Sequence, residues 1–238
     1  MIPKKIHYIW FGKKNKNKLT EICINSWKRT LIDYEIIEWN EENIDIEKLC
    51  NSNKFFKKCY ELKLWAFVSD YLRLYILYNE GGIYLDTDVE VLKKYDELLN
   101  NQVFMGFEEG EYIGTSVIGS EKHNPLIKRL LNFYDNEIWN VDFYNNPIIF
   151  KFLLDKEPEI FRECTIYEKE YFSPYTIGKE YTSIVEEKNT YSIHWYTNNW
   201  NLTRKAYIFL NTKHLRFSIH KIIQIIRKSI GYSKMKGN

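Results

Sequence analysis

Residues 62–92 read LKLWAFVSDYLRLYILYNEGGIYLDTDVEVL, and this stretch decides how the rest of the chain is read. From Lys63 to Asn79 nearly every position is apolar or aromatic on every face, which describes a helix inside a core. Ser69, Asp70 and Arg73 interrupt it. At helical spacing they share one arc of about 100° with Ala66. A polar stripe on a buried helix is costly unless each group has a partner. Gly81-Gly82 predicts the helix stop, because glycine accepts left-handed backbone there. Ile83-Tyr84-Leu85 is a short apolar strand, and Asp86-Thr87-Asp88 follows at its carboxyl end, where open α/β sheets bind ligands.

Asp86 and Asp88 fall on one side of an extended segment, since side chains alternate with period two. Paired carboxylates of this kind suit a hard divalent cation, Mg²⁺ or Mn²⁺, with substrate phosphates completing the shell. The tripeptide equally describes a solvated turn; the preceding GGIYL and the buried polar stripe favour a site. Asp70 and Arg73 can form a simple i,i+3 ion pair, but on so apolar a helix such a pair needs further partners. Sugar or ribose hydroxyls and phosphates would supply them.

Outward from this stretch, Lys5–Phe11 reads as a buried first strand, 19–29 as a helix and Glu35–Trp39 as a second strand. This βαβ opening predicts a parallel sheet. Residues 44–60 are mostly helical. A short helix over 95–99, strands over 103–107 and 112–118 joined by an acidic turn at 108–111, and helices after Pro125 and Pro147 follow. Residues 164–194 break into short strands and turns. No repeat or linker is visible. The 238 residues, 45% hydrophobic and 17% aromatic, describe a globular α/β chain with ample core rather than a disordered one.

The formal net charge of +2 is uninformative, but its distribution is not. Residues 213–238 hold no acid and seven basic residues: Lys213, Arg216, Lys221, Arg227, Lys228, Lys234 and Lys236. Leu215, Ile219, Ile222, Ile223 and Ile226 recur among them at helical spacing. The segment reads either as a core helix with a solvated face or as a basic amphipathic helix at an anionic membrane surface; the missing acids favour the second. The expected division is a catalytic domain over 1–212 and a basic segment over 213–238, either part of that domain or a membrane-surface appendage.

Cys23, Cys50, Cys59 and Cys164 have no metal-finger spacing and read as free thiols of a reducing compartment. MIPKKIHYIW lacks the apolar run of a secretory signal, and no stretch is long and apolar enough to span a bilayer. The expectation is a cytoplasmic protein, with a peripheral position on the inner face of the plasma membrane open to it. Trp10, at the end of the first strand, suits either core packing or stacking on a nucleobase, and His7 reads as structural. His194-Trp195 and Asn199-Trp200 form a late polar-aromatic cluster in which His194 is a candidate metal ligand.

PKKIHYIWFG, the segment from Trp27 to Trp39 and SDYLRLYILYNEGGIYLDTDVEVL together resemble glycosyltransferase family 32, the Asp-X-Asp sugar-binding family, to which the catalytic core of large glucosylating toxins is related. The likeness spans roughly residues 2–100 and rests on Ser-Asp-x-x-Arg followed by Gly-Gly-x-Tyr-x-Asp-x-Asp. Beyond it, Asn146-Pro147 stands where relatives often carry Gly-Pro. HWYTNNW resembles a His…Ser-Trp ending, with Asn199 in place of the serine.

The resemblance implies a GT-A fold: a Rossmann-like, mostly parallel central sheet flanked by helices. It implies retaining, metal-dependent transfer of a hexose or N-acetylhexosamine from a nucleotide sugar, UDP-linked by analogy. The acceptor would be a glycan or lipid-linked glycan in bacterial surface polysaccharide synthesis, with no nucleic-acid partner. By position, Ile9 and Trp10 would meet the base; Ser69, Asp70, Arg73 and Tyr84 the ribose, sugar or phosphates; and Asp86 the ribose or sugar hydroxyls. Asp88 would hold the metal with His194, and Trp200 would contact the leaving diphosphate. Asp86, Asp88 and Arg73 are the expected catalytic residues.

Two rivals share parts of this pattern. A haloacid-dehalogenase-type phosphatase would use Asp86 as nucleophile and Asp88 as general acid, but Glu90 stands where Thr or Val is expected and no later Gly-Asp-x-x-x-Asp motif occurs. A non-enzymatic membrane-surface or nucleic-acid-binding module would use the basic terminus alone.

Overall fold

The computed structural model describes residues 1–12, 14–176, 187–197, 202–215 and 218–232. Its main sheet has six strands: β1 (Lys5–Ile9), β2 (Glu35–Trp39), β3 (Gly82–Leu85), β5 (Val103–Glu109), β6 (Tyr112–Ser120) and β7 (Cys164–Tyr167), in the order β2-β1-β3-β6-β5-β7. β1 pairs in parallel with β2 and β3, and β5 with β7; β6 alone is antiparallel to both of its neighbours. The sheet is therefore mostly parallel, as expected. A separate two-stranded ribbon pairs β4 (Val89–Val91) with β8 (Ser192–His194).

Eight α-helices among the described residues flank these strands: α1 (Lys18–Thr30), α2 (Ile46–Ser52), α3 (Lys54–Glu61), α4 (Trp65–Glu80), α5 (Pro125–Asn132), α6 (Asn146–Lys156), α7 (Arg204–Thr212) and α8 (Ile219–Tyr232). Period-two alternation sorts the strand residues into two cores. Ile9, Tyr84, Met105 and Ile118 join α3 to α7 on one face. Ile6, Tyr8, Ile83, Leu85, Phe104 and Val117 join α1 on the other. None of the described helices is long and apolar enough to cross a membrane.

α4 is the central buried helix that its composition requires, with Phe67, Val68, Leu72, Leu74 and Leu77 all but inaccessible. It ends at Gly81 (φ 65°), whose N–H bonds back to the Leu77 carbonyl at 2.9 Å. At Gly82 (φ 107°) a Cβ would lie 2.8 Å from both His7 Nε2 and the Lys5 carbonyl, so only glycine lets β3 approach β1 this closely. His7 is structural, as expected. It accepts from Trp39 Nε1 at 3.1 Å, lies 2.8 Å from the Gly81 carbonyl, and burial pushes its pKa down to about 4.

The order β2-β1-β3 places consecutive connections on opposite sides of β1. The crevice past the carboxyl ends of β1 and β3 is the switch point where such sheets bind ligands. Trp10 leaves β1 there, and Asp86 leaves β3. The ribbon stands beside this crevice. Three-residue strands do not hold by themselves, and α1 secures β4: Trp27, fully buried, donates to the Val89 carbonyl at 2.7 Å, and Ser26 Oγ accepts from Val91 N at 2.9 Å.

Candidate active site

An open cleft of about 1360 Å³ lies at the switch point, and Ile9, Trp10, Ser69, Asp70, Arg73, Asp86, Asp88 and His194 all line it. Trp200 and Asn199 lie outside the described residues, as does Lys13 of the loop after β1. Trp10 is fixed by its indole N–H, which donates to the Lys14 carbonyl at 2.7 Å, with the Lys16 ammonium 5.5 Å from its ring.

The deepest part of the site is a carboxylate pair held by one guanidinium. Arg73 is buried and donates to Ser69 O at 3.2 Å, Thr115 O at 2.6 Å and Thr115 Oγ1 at 3.1 Å. It also pairs with Asp70 Oδ1 at 3.0 Å and Asp86 Oδ1 at 3.2 Å, over the ring of Tyr84. The resemblance implies that Arg73 contacts a donor; Arg73 lines the cleft, and its guanidinium is held there by these protein oxygens. Tyr84 donates to Asp86 Oδ1 at 2.8 Å, so Tyr84 too acts on the carboxylate.

Asp70 combines burial with an unmet valence. Asn146 Nδ2 donates to its Oδ1 at 3.1 Å, whereas its buried Oδ2 has no hydrogen-bond partner among the described residues. Burial pushes its pKa up to about 7, against the pull of Arg73 and with the added push of Asp86. An orphaned carboxylate oxygen at a cleft wall is a costly arrangement, and a ligand hydroxyl would relieve it.

The outer part of the site is built by the ribbon. Val89 stands opposite His194 in the β4–β8 register, which carries the imidazole to the Asp-x-Asp segment; Nε2 lies 3.5 Å from Asp88 Oδ1. Tyr196 takes a left-handed turn (φ 51°). Thr197 then donates twice to Asp88 Oδ2, from its N–H at 2.9 Å and its hydroxyl at 2.8 Å. Burial opposes the Asp88 charge, but His194 and these two bonds outweigh it and hold the carboxyl well below the usual range. Asp86, Asp88 and His194 each offer a ligand atom within 4.8 Å of the others. Two hard oxygens and an imidazole fit Mn²⁺ or Mg²⁺. Asp86, expected to meet sugar hydroxyls, thus joins Asp88 and His194 in the candidate metal set.

Glu108 was not legible as a site residue. The acidic run at 108–111 reads as a turn, but β5 continues to Glu109, and the register slips between Phe107 and Glu109. Such an irregularity re-aims a side chain. It turns Glu108 into the cleft over Gly114, with Oε1 3.7 Å from His194 Nδ1, a buried atom with no hydrogen-bond partner among the described residues. Burial raises the Glu108 pKa. Thr197, Thr115 and Asn146 were also missed, because each acts through a contact far away in sequence.

With this geometry in view, the comparisons with known proteins agree. Residues 18–105 match the family model of the glycosyltransferase sugar-binding region containing the DXD motif. The match includes Asp70, Arg73, Asp86 and Asp88 and most of the segment that carries the resemblance. Inositol phosphoceramide mannosyltransferase 3 of Schizosaccharomyces pombe is 27% identical over 146 residues, covering 60% of this chain and 40% of that protein. Subversion of eukaryotic traffic protein A of Legionella pneumophila is 32% identical over 111 residues, covering 37% of this chain and 17% of that protein. The chain thus spans well under half the length of these relatives. The solved structure of the PaToxG glycosyltransferase superposes with a TM-score of 0.52 at 21% identity, covering 66% of this chain and 70% of its own. This likeness, with the mostly parallel sheet, shows the GT-A fold.

Proposed function

We propose that this chain is a metal-dependent, retaining glycosyltransferase of the DXD sugar-binding family. It moves a hexose or N-acetylhexosamine from a nucleotide sugar, UDP-linked, to a lipid-linked glycan of a bacterial surface polysaccharide. The observation that carries the reading is the convergence of Asp86, Asp88 and His194 beside the orphaned Asp70 Oδ2 in one cleft. A lipid acceptor is supported by the inositol phosphoceramide in the name of the yeast relative, and a hexose by its being a mannosyltransferase.

In this reading Asp86, Asp88 and His194 hold a divalent cation, which when bound neutralises the charge developing on the departing diphosphate. Ile9 and Trp10 receive the base. Asp70 takes a donor hydroxyl on its free oxygen, while Asn146 and Arg73 hold the other. Arg73 and Tyr84 are positioning residues for Asp86, Thr197 orients Asp88, and Glu108 backs the His194 ring, the usual arrangement behind a metal-bound imidazole. The bond from sugar C1 to the β-phosphate oxygen breaks with its electron pair on that oxygen. A new bond forms from C1 to the acceptor oxygen, and the acceptor proton leaves with the diphosphate. Retention follows if the acceptor enters on the face the diphosphate leaves, and the anomeric coupling in the product's NMR spectrum reads it.

A phosphatase in which Asp86 is the nucleophile fits less well, because Asp86 is bound by both Tyr84 and Arg73. The experiment is a thermal-shift panel of nucleotide sugars with and without Mn²⁺. One donor should raise Tm in the presence of metal and lose most of that effect under chelation. A panel in which no nucleotide sugar stabilises the protein contradicts the reading.

A further inference from the structure

The terminal helix has two apolar faces, and among the described residues only one of them is turned to the body. Ile222, Ile225 and Ser229 turn toward the body: the first two are half-buried, and Ser229 is fully buried, accepting from Arg204 Nε at 3.0 Å. About a quarter-turn away, Ile219, Ile223 and Ile226 share an arc of about 60° at helical spacing. They are 72%, 42% and 37% exposed. Isoleucines aligned in this way on a helix that already has a packing face are not explained by folding.

The stem beneath α8 is firmly seated. Ala206 and Leu210 of α7 are buried in the core. Lys213, which follows α7, donates its ammonium to the carbonyls of Ile138, Val141 and Phe143. Lys213 is therefore an internal clamp rather than part of the basic surface. The charge that remains on α8 is exposed Lys221, Arg227 and Lys228, with no acid anywhere in residues 213–238.

We propose that α8 is a membrane-docking surface. It lies in the plane of an anionic bilayer, with Ile219, Ile223 and Ile226 entering the headgroup–acyl boundary, Arg227 beside them meeting lipid phosphates, and Lys221 and Lys228 on the upper face adding to the attraction toward the anionic surface. By helical spacing Arg227 flanks this row and Lys221 and Lys228 lie on the polar face across the helix; an apolar row with a cationic, acid-free polar face is the pattern such surfaces take. A second copy of this chain is the poorer occupant, since two acid-free basic helices would repel. The inference goes beyond the donor chemistry and stands apart from it, because docking requires neither nucleotide nor metal.

The test is flotation of the full chain with phosphatidylcholine vesicles, with and without phosphatidylglycerol, at low and high salt. The chain should float only with anionic vesicles, and less at high salt. Ile223→Glu/Ile226→Glu should reduce binding about a hundredfold. Lys221→Gln/Arg227→Gln/Lys228→Gln should weaken it and flatten its salt dependence. Unchanged Tm and an unchanged nucleotide–Mn²⁺ thermal shift confirm that the variants are folded. No flotation at low salt, or flotation unaffected by the glutamates, overturns the proposal. So does a chain that sediments as a dimer until the glutamates make it a monomer.

Discussion

His194 Nε2 lies 3.5 Å from Asp88 Oδ1 because Val89 and His194 are register partners in a ribbon of two three-residue strands. A metal centre assembled this way depends on a weak element held from outside. Every group that fixes the ribbon or the imidazole should therefore be visible in metal affinity.

Asp88→Asn and His194→Ala should each weaken Mn²⁺ binding about a hundredfold, and Glu108→Ala about tenfold, with Glu108→Gln recovering part of the loss. Electron paramagnetic resonance titration of free Mn²⁺ reads this directly. A structural role for Glu108 would instead lower Tm and leave the affinity alone.

Trp27→Phe keeps most of the buried ring but removes the donor to the Val89 carbonyl. It should cost about 1–2 kcal/mol in urea unfolding. Because β4 carries Asp88 at its entrance, metal affinity should also fall, although Trp27 does not line the cleft. Affinity unchanged in a destabilised variant would detach the ribbon from the site.

His7, which is not one of the candidate metal ligands, sets a pH dependence of its own. Its pKa falls from an ordinary 6.5 to about 4 on burial, so the folded protein holds the neutral ring and the unfolded chain takes up the proton first. The stability it contributes is complete above pH 6.5 and is lost as pH falls toward 4, in all about 3 kcal/mol. Urea unfolding across this range should show the loss. His7→Gln, less stable at neutral pH because the buried pairing with Trp39 is disturbed, should show a shallower slope.

The sequence made much of this legible wherever local pattern and tertiary role coincide. α4 is apolar all round and could only be core, Gly81 and Gly82 end it, and Asp86 and Asp88 follow a strand too apolar to be anything but buried. β4 and β8 were not legible as a pair, because three residues carry no period and their partners are a hundred positions away. Glu108 was hidden by a register slip that places a seemingly turn-like acid in a strand. The polar stripe on α4 announced that Asp70 and Arg73 needed partners but not which ones: Asn146, Thr115 and Asp86 supply most of them. At the terminus a single amphipathic pattern concealed two apolar faces, since periodicity does not distinguish an isoleucine that packs on α7 from one left in water.

The most direct measurement of the central claim is release of nucleoside diphosphate from a nucleotide sugar, by wild type and Asp88→Asn, with Mn²⁺ and under chelation. The account predicts metal-dependent release by the wild type and a loss of about a hundredfold or more in the variant. Equal release by both proteins, or release indifferent to chelation, would contradict it.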